Sequence, residues 1–262
     1  MSGHPSVPGL VPDWPAPDPV RAFVTTRAGG VSAAPFGLDG GAPGGLNLGA
    51  HVGDDPAAVA ANRARLEAAL PGPVCWLDQV HGTAVFDADR HRGGDGPAPV
   101  ADAAVSTRPG TVLAVMTADC LPILLADASG RAVGAAHAGW RGLAGGVAEA
   151  AVAAMRARVG GDASLLAWLG PAIGPDAFEV GDEVRQAFCD VDAGAAAAFA
   201  PGVSAGKWQA DLYALARRRL AACGVHAVSG GGLCTVADRA RFYSHRRDRR
   251  GGRFASLVWL AR

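Results

Sequence analysis

The stretch Ala101–Trp140, ADAAVSTRPGTVLAVMTADCLPILLADASGRAVGAAHAGW, decides the fold class. It holds four short apolar runs, Ala101–Ser106, Val112–Thr117, Leu121–Ala126 and Ala132–His137. As short apolar runs they read as strands. Several are almost continuously apolar, so cover on both faces is expected. Parallel neighbours need long crossovers, usually helical. The links here are too short for that. A hairpin-like succession is therefore expected, and it argues against a doubly wound parallel sheet.

Working outward, Ala22–Thr25, Val74–Val80, Ala84–Asp87, Leu165–Leu169 and Phe254–Leu260 also read as strands. Asp55 and Pro56 open a helix running to about Leu70. Gly142–Val159 carries Leu143, Val147, Ala151, Ala154 and Met155 on one stripe. Gly181–Phe188 is a shorter helix, and Asp211 caps another that Gly224 ends. Gly37–Gly49 and His91–Pro99 read as loops. The class is α+β. One domain over residues 21–262 is expected, after a loose proline-rich lead-in over residues 1–20.

The chain has 262 residues, 50% apolar and 18% charged, which is globular usage and ample for a core. Its 24 basic and 24 acidic residues cancel, so the basic surplus of a nucleic-acid binder is missing. No apolar run is long enough to cross a bilayer, and the N-terminus lacks the regions of a signal peptide. The cysteines number five, with no CxxC pair, which argues against a disulfide framework and a zinc ribbon. A cytoplasmic monomer is expected, with no nucleic acid and no membrane.

Three segments place reactive side chains beside glycines at strand ends: Gln79–Gly82, Thr117–Cys120 and Ala136–Gly142. One cysteine and two histidines fit a three-ligand zinc site with an open position. They fit a cysteine nucleophile with a histidine base equally well. They are also compatible with a buried small Cys120 and ordinary histidines. Spacing alone leaves all three readings open. For anions, Gly139–Gly142 leads into a helix, and Thr26–Gly30 sets an arginine in a flexible turn. The basic run Ser244–Arg250 reads as a solvated turn or an anion site.

At these segments the chain resembles the multicopper polyphenol oxidoreductase (laccase-domain) family, whose bacterial members are described as zinc-containing purine nucleoside phosphorylases. The likeness runs from about Phe23 to Leu260 through TTRAGGVS, LNLGAHVGDDPAAVAANR, QVHG, ADAAVSTRPGTVLAVMTADCLPILLAD, VGAAHAGWRGLAGGV, LGPAIGPDAFEVGDEV, GGLCT and YSHRRDRRGGRFASLVWL. It implies a four-layer α/β/β/α arrangement of mixed sheets between helices. It implies that His81, Cys120 and His137 bind the metal, zinc in preference to copper, because a multicopper centre needs many more histidines. It implies phosphorolysis of adenosine, inosine, guanosine and methylthioadenosine, with deamination of adenosine. Catalysis then falls to Cys120, His137 and, as a proton donor, Asp119. Phosphate and nucleoside contacts fall to Arg27 and Arg141 first, with Asn47, His245 and Arg246 behind them. Asp78 stands before QVHG where a basic or neutral residue is expected, and strand alternation would point it away from the metal. Two alternatives remain: a cysteine hydrolase using Cys120 and His137 on a peptide or cell-wall precursor, and a copper polyphenol oxidase.

Overall fold

The computed structural model describes residues 7–90 and 96–261; residues 1–6 of the lead-in, residues 91–95 of the His91–Pro99 loop and residue 262 lie outside the described residues. The first elements are β1 (Gly9–Leu10), β2 (Val20–Thr25), β3 (Ala28–Ser32), α1 (Pro56–Glu67), β4 (Val74–Cys75) and β5 (Val85–Asp87). The central stretch supplies β6 (Ala103–Ser106), β7 (Val112–Thr117), β8 (Leu121–Asp127) and β9 (Val133–Ala138). Next come α2 (Trp140–Gly145), α3 (Val147–Val159), β10 (Leu165–Leu169), β11 (Glu179–Gly181) and α4 (Asp182–Cys189). The chain finishes with β12 (Phe199–Pro201), β13 (Lys207–Ala210), α5 (Leu212–Ala222), β14 (Ala227–Gly230), α6 (His245–Asp248) and β15 (Phe254–Leu260).

Two large sheets form, in the orders β1-β2-β15-β7-β4 and β14-β10-β8-β9-β6-β5, with a small β11-β13-β12 sheet beside them. The central strands are apolar on both faces, as expected, but they do not stay in one sheet. β8 and β9 are an antiparallel pair, whereas β7 joins β15 in the other sheet. The link Ala118–Cys120 is thus a step between sheets and not a hairpin turn. The physical reason is the two-faced apolarity itself, since it lets strands stack face to face as readily as pair edge to edge.

Three apolar layers hold the elements. Val24, Val115 and Val258 meet Leu124, Val133 and Ala135 between the sheets. Leu66 of α1 covers the outer face of the first sheet with Leu46 and Leu48. Val152 and Met155 of α3, with Leu215 of α5, cover the outer face of the second. The result is α+β in four layers, helix, sheet, sheet, helix. Each fully buried Leu, Ile or Val contributes about 1.5–3 kcal/mol relative to exposure.

Several boundaries differ from the expected ones. The Val74–Val80 strand leaves the sheet after Cys75, because Gln79 uses its amide to clamp the backbone of Met116 instead. The Gly142–Val159 helix starts at Trp140 and breaks at Gly146, which sits at φ 101°. α1 stops at Glu67, short of Leu70. The lead-in is tied down from Val7 onward: Val7 is buried, and Gly9–Leu10 pair with Thr25 and Val24. Among the described residues, no helix is long and apolar enough to cross a membrane.

Candidate metal centre

Cys120 sits on the step between the sheets, at the mouth of β8, and His137 lies near the end of β9. β8 and β9 pair with Pro122 opposite His137, which sets the two reactive residues side by side. His81 arrives from the irregular link that follows β4. Its backbone has φ 62°, an uncommon conformation for a residue with a Cβ. Asp102 holds it there. The buried Asp102 carboxylate accepts from the amides of Val80, His81 and Gly82 at 3.2, 2.9 and 2.6 Å. The same carboxylate takes Nδ1 of His137 at 2.8 Å, and the Asp102 carbonyl accepts from the His137 amide at 2.7 Å. One residue therefore positions both histidines.

With Nδ1 engaged by a carboxylate, His137 presents Nε2, the arrangement common for metal-bound histidines. Nε2 of His81 lies 3.7 Å from Cys120 Sγ. The ligating atoms of His81, Cys120 and His137 all fall within 4.8 Å of one another. Gly139 makes room for them. A Cβ there would stand 2.9 Å from both Cys120 Sγ and His81 Cδ2. One thiolate and two imidazoles, with space left for a fourth ligand, fit a borderline-soft divalent ion such as zinc. Burial opposes the Cys120 thiolate, but positive His137 and hydrogen bonds from His137 and His81 outweigh it and hold the thiol well below its usual value. Burial likewise opposes a charged His137, and Cys120 and Asp102 overcome it and raise its pKa. Burial pushes the Asp102 carboxyl up, while His137 and the amides of Gly82 and His81 win and keep it ionised.

The triad opens into a cavity of about 330 Å³, at the small end for ligand pockets. Its wall includes Arg141, His245, His51, Arg253, Gln79 and Thr117, and no Asp or Glu among the described residues. Of the residues expected from sequence, the structure thus gathers His81, Cys120, His137, Arg141 and His245. Arg141 lies over the Trp140 ring, 4.3 Å from its centroid.

Four expected residues sit elsewhere and act as braces. Arg27 is buried and donates to the carbonyls of Gly37 and Arg239. Asn47 bonds Asp54 and Gly49 and accepts from the Arg253 amide. Asp119, at φ 93°, accepts from Thr235 Oγ1 and the Arg246 amide, both at 2.6 Å. The Arg246 guanidinium donates to the carbonyls of Ala177 and Glu179. Asp78 is exposed and lines a neighbouring cavity. Sequence reasoning missed Asp102, His51 and Arg253. The signal for Asp102 was a lone acid inside an otherwise apolar run, which must find donors if buried.

The chain belongs to the multi-copper polyphenol oxidoreductase laccase family. The family's sequence model matches residues 21–261. A relative in Pseudomonas aeruginosa named purine nucleoside phosphorylase is 59% identical over 251 residues, covering 96% of this chain and 98% of that one. The Escherichia coli purine nucleoside phosphorylase YfiH is 50% identical, with the same coverage. A solved Neisseria meningitidis structure is 49% identical, with a TM-score of 0.88 over 97% of this chain and 99% of the other. YlmD from Geobacillus stearothermophilus is 34% identical, with a TM-score of 0.79 over 93% of each chain. The laccase family's fold and the expected resemblance are thereby shown for this chain.

Proposed function

We propose that this chain is a zinc-dependent purine nucleoside phosphorylase acting on adenosine, inosine, guanosine and methylthioadenosine, with a secondary adenosine deaminase activity. The observation that carries the reading is a triad able to ligate a metal at the base of a cavity whose wall holds two arginines and, among the described residues, no Asp or Glu. The names of relatives at 50% identity or more support it. In phosphorolysis a phosphate oxygen attacks the ribose anomeric carbon, the C–N bond breaks, and the purine leaves with the bonding pair. Arginine holds phosphate through its bidentate fork. Arg141 contributes positive charge, and His245 a hydrogen-bonding ring, where charge develops. Zinc, when bound, supplies Lewis acidity at its open position. Asp119 enters as the group that fixes the backbone beside Cys120.

Copper is less well matched. Among the described residues one ligating trio is present, and multicopper oxidation needs several centres. A second reading has its own observation: Cys120, His137 and Asp102 also line up as nucleophile, base and orienting acid. The position of His81 beside Sγ favours the metal. The test is elemental analysis of chelator-free protein together with release of hypoxanthine from inosine with and without phosphate. Stoichiometric zinc and strict phosphate dependence are expected. Metal-free protein that hydrolyses an amide through an acylated Cys120 would establish the second reading.

A further inference from the structure

Arg253 is the residue immediately before β15, and among the described residues no carboxylate lies within ion-pair distance of it. Its backbone is pinned by Asn47 Oδ1 at 2.9 Å, and its stem packs where a Cβ on Gly49 would lie 2.8 Å from Cγ. Nη1 donates to the carbonyls of Gly251 and Gly252 at 3.2 and 3.1 Å. Other arginines of this chain, such as Arg131, Arg158 and Arg218, reach carboxylates. No such ion pair forms at Arg253 among the described residues. Desolvation in the cavity wall weakens its hold on its proton, and Cys120 and Asp119 act on it only through space.

A second orphan stands in the same wall. Thr117 faces Phe254 across the β7–β15 ladder, one residue from Arg253. It is 1% exposed, and its Oγ1 has no hydrogen-bond partner among the described residues. A buried hydroxyl without a partner is costly, and a half-buried guanidinium held only by backbone carbonyls gains from a charged acceptor. One ligand type relieves both: an oxyanion with several acceptor oxygens. A neutral purine or ribose leaves the guanidinium uncompensated. Among the described residues the wall offers no Asp or Glu to compete.

We propose that Arg253, with the Thr117 hydroxyl turned toward the same ligand, is the phosphate anchor of this cavity, Arg141 and His245 serving its outer rim. This rests on the phosphorolytic reading above. Zinc-loaded protein is titrated calorimetrically with orthophosphate, and phosphorolysis of inosine is measured in parallel. A charge-assisted contact of about 1.5–3 kcal/mol converts to a ten- to hundredfold effect. Arg253→Met keeps the stem and removes the charge. It should raise the phosphate Kd and the phosphate KM by that factor, with zinc content unchanged and the inosine KM moved less than about threefold. Arg253→Lys should recover part of the loss, and it serves as the test variant if the Met variant does not fold. Thr117→Val should weaken phosphate about fivefold, as for one neutral hydrogen bond. A phosphate Kd within about twofold of wild type in both Arg253 variants overturns the anchor and moves it to Arg141 or His245. Unchanged binding in Thr117→Val overturns the part given to the hydroxyl. If wild-type turnover ignores phosphate, the phosphorolytic reading fails, and the calorimetry still decides whether Arg253 holds the anion.

Discussion

Asp102 spends one carboxylate on three amides and an imidazole. An amide side chain at that position offers a single acceptor oxygen and pushes an NH2 group toward a donor. Asp102→Asn should therefore release the strained backbone at His81 and free His137 to rotate. Zinc affinity should drop about 10–100-fold, the usual cost of losing a carboxylate behind a ligating histidine. Competition against a chromophoric chelator measures it, and an affinity within about twofold of wild type would contradict the role given to Asp102. At this scale the candidate ligands were legible through the motifs QVHG, TADC and AAHAGWRG that carry the family resemblance, and not through residue type or spacing alone. Asp102 was not, because its importance lies in four donors brought from separate segments.

The expected helix over Gly142–Val159 shows what elements add. Periodicity saw one stripe and missed the break at Gly146, where φ is 101°. A Cβ there would meet only the Glu149 carboxylate, at 3.7 Å from Oε2 and 3.9 Å from Cδ, so the demand for glycine comes from the backbone and not from crowding. Gly146→Ala should cost about 1–2 kcal/mol in urea unfolding, with zinc content unchanged. A neutral result would mean that α2 and α3 can merge. A second element-scale test concerns Asp89, which joins the end of β6 to α3. Burial works against its charge, but bonds from Ser106, Thr107 and Arg158 hold its pKa below the usual carboxylate range. A depressed folded pKa gives stability that is fully present above the unfolded value, about 3.9, and fades as pH falls through the folded one. The stability gap between wild type and Asp89→Asn should thus be constant from pH 7 to about 5 and shrink below about 4. A gap that grows on acidification would rule out this account.

At the scale of the whole molecule, the centre joins both large sheets. Cys120 lies on the step from β7 to β8, His137 on β9, and His81 on the link out of β4. A metal bound by all three fastens segments that unfold separately. Ion that binds only the folded chain stabilises it by RT ln(1 + [L]/Kd), about 4 kcal/mol at a thousand times Kd. Zinc should raise Tm, and a chelator should return it to the apo value. Cys120→Ala should abolish the shift while leaving the apo Tm within a few degrees, since Cys120 is only half-buried. A Tm indifferent to zinc in the wild type would separate the triad from metal binding.

From the sequence alone come the strand content, the α+β class and the caps at Asp55 and Asp211, because periodicity and capping chemistry are local properties; the trio His81, Cys120 and His137 came from the resemblance of whole motifs, since ligand type and spacing left other readings open. The division of β6–β9 between two sheets came only from tertiary structure: a run apolar on both faces does not specify which neighbour covers it. The arginines were decided in the same way. Arg27 and Arg253 both flank strands beside glycines, yet Arg27 is buried against the carbonyls of Gly37 and Arg239 with Asp39 at 3.8 Å, while Arg253 lies in the cavity wall with no carboxylate within ion-pair distance among the described residues. A guanidinium becomes an anion site or a brace according to the acceptors that folding brings to it, and those acceptors lie far away in sequence.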